Sequence, residues 1–446
     1  MFNTQVSKFR NVVCQEPKPQ ETWTGLRLSA VSGEQSYIKA NGKWMAFGVA
    51  GGGGPFTVLD VNKPGRIGSV FTLQGHTGPA TDFDFNPFND DQLVSCSEDS
   101  SIKLWDIPKD GLSANIDVPT STVGEHPRKV TAVRYHPTAS GVLASAGIEH
   151  SVKIWDVEKS KEISCCADAH SELIQDLAWD WVGCKYATSC KDRTVRIVDA
   201  RSAAVVSSIP NAHDGSKAIK LTYLGDMEKL LTTGFVRGSS KRQMKIWDPR
   251  SLTAPLCTVD LESASGVIMP FFDNDTRMVF LADKGASAIK YFEILDDKPH
   301  YLNCAIYRGS SSMKGAAFVP KRCLDISRNE IARIMKLTIN TVESLSFHLP
   351  RRSETFQDDL FPDTVAGVPS MSCSEWVGGE NKGPMVKALD PSRESEAPRL
   401  SESRNRASTE KYVAPKSTAE LQVEVDTANA RIAYLEEKLK AANISY

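Results

Sequence analysis

Four short stretches share one alternation of apolar and polar positions: Ile102-Lys103-Leu104-Trp105, Val152-Lys153-Ile154-Trp155, Val195-Arg196-Ile197-Val198 and Met244-Lys245-Ile246-Trp247. A period of two predicts β-strands whose two parities face opposite neighbours. Each stretch ends on an Asp that turns the chain, and each is preceded by a histidine. The gap is 29 residues from His76 to Trp105 and 29 from His126 to Trp155. It is 28 from His170 to Val198 and 34 from His213 to Trp247. The endings recur after 50, 43 and 49 residues, so the chain carries an internal repeat.

This spacing matches the WD repeat of about 40–45 residues, in which each repeat forms one four-stranded blade of a β-propeller. Weaker blades are expected at Tyr37–Val61, at Val267–Leu295 and over residues 300–349. The predicted fold is therefore all-β: a seven-bladed WD-repeat propeller over residues 1–349, with about 47 residues per blade from residue 20 onward. Val6–Val13 is expected to supply the strand that closes the last blade, leaving no long open edge. Within the repeats, His76, Ser95 or Ser97, Asp99 and Trp105 form a candidate hydrogen-bonded chain, since a buried Trp N–H needs a partner and His can donate and accept at once. His126 with Trp155, His170 with Asp192, and His213 with Trp247 are the equivalent residues. Glu149 stands where the turn Asp is expected and Val198 where the Trp is, so those blades should rest more on apolar packing. A His–Asp pair can also serve catalysis, but one that recurs in every repeat reads as structural.

After Pro350 the texture changes. Residues 351–385 keep Phe356, Leu360, Phe361 and Trp376 and read as an irregular extension, 350–385, lying on the propeller. Residues 386–417 are rich in Ser, Glu, Arg and Pro, the composition of a disordered linker. Residues 418–446 turn helical, with no Pro or Gly. Val425, Ile432 and Leu439 fall on one heptad position and Leu421, Ala428, Leu435 and Ala442 on another, the seam of a short coiled coil. Arg431 at g and Glu436 at e can pair across neighbouring helices, with the Arg stem covering the seam. This pattern resembles the trimerisation motif of short parallel coiled coils, so a homo-trimer is expected, with dimer and tetramer as rivals. The plainer alternative is an amphipathic helix folded back on its own propeller.

Composition narrows the function. Of 446 residues 24% are charged and 41% hydrophobic, and the net charge of −2 argues against a bulk nucleic-acid binder. The 10 cysteines include no C-x-x-C pair, which fits neither a zinc site nor a disulfide framework, and reduced thiols in a cytosolic protein are expected. The N-terminus lacks the apolar run of a signal peptide, Phe2 does not fit myristoylation, and no stretch of 18 apolar residues predicts a membrane span. A phosphate loop, a G-x-S-x-G elbow and an H-E-x-x-H helix are all missing from the sequence, and Gly51–Gly54 is not followed by a helix signal. No enzymatic function, cofactor or metal is expected.

Nearly the whole chain resembles the coronin family. Val6-Ser7-Lys8-Phe9-Arg10-Asn11-Val12 is similar to its opening signature, and Leu230-Leu231-Thr232-Thr233-Gly234-Phe235 with Arg242-Gln243 and Trp247-Asp248 to its central blade. Ser265–Asp273 and Ile289-Lys290-Tyr291-Phe292-Glu293 follow the same pattern. Past the expected ring, Pro320–Leu324, Glu330-Ile331-Ala332-Arg333, Pro350-Arg351-Arg352-Ser353 and Phe356–Asp363 resemble the family's C-terminal extension. The resemblance implies a cytoplasmic protein of the actin cytoskeleton and cell cortex that binds and cross-links F-actin. It also implies the actin-related-protein branching complex and cofilin as partners. An arginine of the family's first blade is tied to filament binding, and the matching position is Arg27 in Gly25-Leu26-Arg27-Leu28-Ser29. Lys241-Arg242 is expected on a solvated blade insertion. The alternative function is a general WD-repeat adaptor for partners other than actin.

Overall fold

The alternating stretches form strands, and each is the third strand of a four-stranded antiparallel sheet. The computed structural model describes residues 6–29, 33, 35–353 and 355–401, and 427, 429, 431 and 432 nearer the C-terminus. Blade 1 comprises Ile38–Ala40, Trp44–Gly48 and Phe56–Asp60, with Leu73 bridging Phe56 at its outer edge. Blade 2 runs from Ala80–Phe85 to Ser121–Glu125, blade 3 from Val130–Tyr135 to Lys161–Cys166, and blade 4 from Ile174–Trp179 to Val205–Ile209. Blade 5 runs from Lys220–Tyr223 to Cys257–Ser263 and blade 6 from Ile268–Asp273 to Tyr301–Arg308.

Blade 7 joins both ends of the ring. Gly315–Phe318, Glu330–Leu337 and Val342–His348 are its own strands, and the N-terminal Val13–Gln15 and Trp23–Thr24 pair on the outside of the third. Val13 lies opposite His348, and Trp23 opposite Val342. The closing strand is thus displaced from the expected Val6–Val13. Phe9 and Val12 are instead buried between blades 6 and 7, where Phe280, Tyr291 and Phe347 surround them. The structure also corrects the placing of Pro320–Arg333 beyond the ring, since Glu330–Leu337 is the central strand of blade 7.

The core is divided among the blade interfaces. Leu93 and Trp105 of blade 2 pack on Trp44 and Phe56 of blade 1, and Trp155 of blade 3 packs on Val94 and Leu104 of blade 2. Both faces of each blade are therefore apolar, the condition for stacking sheets face to face. Gly54, at φ +70°, lets this packing close: a Cβ there would stand 2.2 Å from the Cα of Pro79. The Gly51–Gly54 run is accordingly a turn fitted against blade 2.

The extension packs where its aromatics direct it. Leu360 and Phe361 join the core between blades 6 and 7, and Trp376 that between blades 3 and 4. Trp376 sits on the short helix Cys373–Val377, is fully buried, and donates its indole N–H to Gly183 O at 3.1 Å. Arg201 bonds the Trp376 carbonyl at 2.6 Å and lies over its ring. Burying such a side chain contributes about 1.5–3 kcal/mol. The expected linker departs from prediction at its start. Met385–Lys387 pairs with Thr364–Val365 and with Arg399–Leu400 in a small sheet, and Asp363 holds both Arg393 and Arg399. Polar composition hid this segment because ion pairs, not apolar burial, tie it down.

Candidate functional site

Three arrangements decide what this propeller can do: the hydrogen-bonded chains inside blades, the ion pairs joining blades, and the exposed surface around Arg27. In blade 2, His76 Nε2 lies 2.7 Å from Ser95 Oγ, His76 Nδ1 lies 3.0 Å from Asp99 Oδ2, and Trp105 donates to Ser95 Oγ at 2.8 Å. Ser95, not Ser97, is the shared partner; Ser97 bonds Gly78 O instead. Burial works to raise the Asp99 carboxyl, but hydrogen bonds from His76 and Ser101 outweigh it and hold the group well below its usual range. Every member is satisfied and enclosed, so the His–Asp pair is a strut and not an acid–base couple.

Blade 3 keeps the whole chain despite its substitution. The longer Glu149 reaches His126 Nδ1 and takes Ser151 Oγ at 2.7 Å, while Trp155 donates to Ser145 Oγ at 2.8 Å. The expectation that this blade would lean on apolar packing is therefore corrected. In blade 4, His170 bonds Thr188 Oγ1 at 2.8 Å, but Asp192 turns to Arg196, at 2.7 Å, and to Ser171. With Val198 in place of Trp, this chain has two members. In blade 5, Thr232 Oγ1 serves both His213 and Trp247, each at 2.9 Å. Burial, and then Lys245, pushes the His213 imidazole down to about 3, and burial, and then Arg196, pushes that of His170 down to about 4.

Charged groups join neighbouring blades around the axis. One residue or more from each of the seven first strands lines a central cavity of about 380 Å³. Asp82 of blade 2 holds Arg134 of blade 3, and Asp176 of blade 4 accepts from Leu221 N of blade 5 at 3.2 Å. Lys39 and Asp84 pair across blades 1 and 2 at 3.4 Å. Farther out, Arg242 corrects its expected placement on a solvated loop. It lies in the third strand of blade 5, is 1% exposed, and grips Asp283 of blade 6 with both guanidinium nitrogens, one bond measuring 2.8 Å. Its remaining donors reach the carbonyls of Glu262 and Gly266, each at 3.2 Å. Lys241 does lie at the surface, paired with Asp260 at 2.7 Å.

Arg27 is exposed for a reason visible in its neighbours. Leu26 and Leu28 turn into the core between blades 7 and 1, and alternation sends Arg27 outward. Its carbonyl accepts from Ala50 N at 2.9 Å, and Leu26 N bonds Asn340 O at 3.2 Å, which fixes the segment against both blades. The guanidinium makes no hydrogen bond or ion pair among the described residues. Two other exposed side chains occupy the same rim and were missed from sequence. Ile339, 81% exposed, tips the tight turn Thr338–Thr341 beside Asn340. Arg66 is exposed and lies opposite Thr24, three residues before Arg27. An isoleucine within a turn of threonines and asparagine was the available signal.

Of the tail, Thr427, Asn429, Arg431 and Ile432 are helical and exposed, Ile432 at 53%. Leu421, Val425, Ala428, Leu435, Glu436, Leu439 and Ala442 lie outside the described residues.

Comparison with known proteins places the whole assembly. Residues 68–106 and 117–156 match the WD domain, G-beta repeat; residues 342–384 match a type of WD40 repeat, and residues 2–66 a domain of unknown function. Coronin-A of Dictyostelium discoideum is 36% identical over 436 residues, 97% of this chain and 96% of its own. The chain belongs to the coronin family. Coronin-2A of Bos taurus is 35% identical over 88% of this chain and 76% of its own length. The crystal structure of the WD40 domain from Toxoplasma gondii coronin superposes with a TM-score of 0.81 at 31% identity, covering 86% of this chain and 99% of that one. A chain of the mitotic checkpoint complex, at 13% identity and a TM-score of 0.57, shares the fold alone. In this coronin the repeat residues His76, Asp99, Trp105, His126, Trp155, His170, Asp192, His213 and Trp247 all belong to blades 2 to 5, with Asp192 turned from His170 to Arg196, and the match over 342–384 spans the last strand of blade 7 and the extension. No helix among the described residues is long and apolar enough to cross a membrane.

Proposed function

We propose that this coronin binds and cross-links actin filaments at the cell cortex, docking them on the rim around Arg27 and gathering several propellers through residues 418–446. The coarse role follows from family membership: an actin-associated cytoskeletal regulator of the cytoplasm, grouped with non-enzymatic propeller scaffolds. One observation supports the docking site above others. Arg27 is an exposed guanidinium with no intramolecular partner among the described residues, held by a backbone tied to two blades. A preorganised cation of this kind suits an acidic polymer surface. Ile339 and Arg66 add an apolar contact and a second charge.

A single rim of this size binds weakly. Three such rims on one particle raise avidity by a factor on the order of 10²–10⁴ without a new contact, provided the connecting chain lets them engage together. The branching complex and cofilin are further partners in this reading. Filament cosedimentation tests it, using the full chain, a chain lacking 418–446 and Arg27→Asp, with molar mass by light scattering. Arg27→Asp is expected to lose pelleting by tenfold or more, and the truncated chain to be monomeric and poor at bundling. Unchanged pelleting in both would refute the proposal.

A further inference from the structure

The central cavity of about 380 Å³ has the size of a small-molecule site, roughly 300–1,000 Å³, and its wall is divided in character. The part supplied by blades 6 and 7 is apolar. Met269 stands there beside Phe271 and Phe318, two half-buried rings that lie nearly parallel, 10° apart in plane, with centroids at 6.0 Å. The part supplied by blades 1 to 5 carries all the charge: Lys39, Asp84, Arg134, Asp176 and Lys220. Three of these groups are cationic and two anionic, since Asp82, which holds Arg134 from behind, is 3% exposed and lies outside the wall. Apolar lining with a few polar groups on one side is the usual make-up of a ligand pocket.

The cations of this wall are loosely held. Arg134 Nη2 and Lys220 Nζ converge on one oxygen, Asp176 Oδ1, but stand 3.7 and 3.8 Å from it, beyond hydrogen-bond reach. Lys220 donates a single hydrogen bond, to Gln175 O at 3.1 Å, and Lys39 a single long one, to Asp84 Oδ1 at 3.4 Å. An ammonium carries three N–H donors, so both lysines have donors to spare among the described residues. The carboxylates are partly spent on the backbone: Asp84 Oδ2 accepts from Tyr135 N at 2.8 Å and Asp176 Oδ2 from Leu221 N at 3.2 Å. Ion pairs that only brace this fold are shorter, with Arg242 meeting Asp283 at 2.8 Å and Lys321 meeting Asp273 at 2.6 Å. Water reaches the loose cations, because the side chains of Lys39 and Arg134 are 20% and 19% exposed.

We infer that the central cavity binds a small aromatic acid, its anionic head on Lys39, Arg134 and Lys220 and its ring against Phe271 and Phe318. The acid group takes the spare donors and offsets the surplus cation, and charge-assisted bonds of this kind are the stronger ones. The flat body covers the two half-buried rings, which otherwise face water. Both halves of the wall are needed, so neither an inorganic anion nor a neutral aromatic satisfies the site. Arg27 is not part of this wall, and the assignment does not rest on the filament reading.

Fluorescence titration of the full chain tests this with 8-anilinonaphthalene-1-sulfonate, an aromatic acid that brightens in an apolar site, and with N-phenyl-1-naphthylamine, the same rings without the acid. The anionic dye is expected to saturate a single site and to bind about tenfold or more tightly than the neutral one. Lys39→Gln and Lys220→Gln should each weaken the anionic dye about fivefold or more and leave the neutral dye unchanged, whereas Phe271→Ala should weaken both. Lys220 is buried, so should Lys220→Gln not fold, Lys39→Gln and Phe271→Ala carry the same test. No saturable binding of the anionic dye, equal binding of the neutral dye, or an affinity unchanged by Lys39→Gln or by Phe271→Ala would overturn the assignment.

Discussion

Removing Asp283 should loosen the contact between blades 5 and 6 far more than removing the whole ion pair. Arg242 is 1% exposed and Asp283 6%, and the carboxylate meets two of the guanidinium donors. In Asp283→Ala those donors keep the carbonyls of Gly266 and Glu262, and the buried cation is left with only the half-exposed Glu262 carboxylate, 3.7 Å away and shared with Lys290. Breaking a buried pair this way costs about 3–5 kcal/mol. For roughly 400 ordered residues, an unfolding entropy of about 2.1 cal/mol/K per residue converts that into a Tm lowered by about 4–6 °C. The double variant Arg242→Met, Asp283→Leu replaces charge by apolar volume, and such replacements are often neutral. It should therefore melt above the single variant and near the parent. Thermal unfolding followed by near-ultraviolet circular dichroism, at one protein concentration, reads both. Asp283→Ala melting within 1 °C of the parent, or the double variant melting as low as the single, would refute the argument that the loss of the buried counter-ion dominates.

Three further outcomes are expected. Ser95→Ala leaves both His76 Nε2 and Trp105 Nε1 without partners and should cost about 2–4 kcal/mol, whereas Thr188→Val in blade 4 strands His170 alone and should cost about half as much; urea midpoints compare them. Burial holds His136, which follows the first strand of blade 3 and lies 2.8 Å from Gly183 O, and His213 down to about 3 and His170 to about 4, so unfolding takes up protons once pH falls below the ordinary histidine value of 6.5. Each imidazole should therefore remove about 2 kcal/mol of stability by pH 5, with the loss growing toward pH 3–4, and a melting series from pH 8 to 5 that stays flat would contradict it. Trp376→Ala should cost about 3–5 kcal/mol and leave the extension open to limited proteolysis, read by the rate of cleavage between residues 350 and 385.

The ring was legible because its repeats advertise themselves. The stretch ending at Trp105-Asp106 and its relatives carry an alternation that few other folds require, and His76 with Trp105 marks a blade even before its strands are counted. Long-range choices were less visible. Nothing local in Val13-Cys14-Gln15 announces that it pairs with Ser346–His348 rather than the more apolar Val6–Val13 doing so; the register is set by Phe9 and Val12 finding the core between blades 6 and 7. Arg242 looked like a surface residue because its neighbours Ser239, Ser240 and Lys241 are polar, and the carboxylate that buries it comes from 41 residues away. Residues 386–401 looked featureless because their order comes from arginines meeting Asp363. The exposure of Arg27 follows from its alternation with Leu26 and Leu28, whereas that of Ile339 depends on the turn that carries it.

The closure of blade 7 has a consequence at the ribosome. Val13 must wait for His348, 335 residues later, before it has anything to pair with. At a synthesis rate of about 5–20 residues per second that wait lasts roughly a quarter of a minute to a minute. During it the newborn polypeptide is an open arc, with Phe9, Val12 and Trp23 still facing water. Translation halted before the final strand leaves that arc unclosed, which makes the nascent interval the period in which this chain most needs a chaperone.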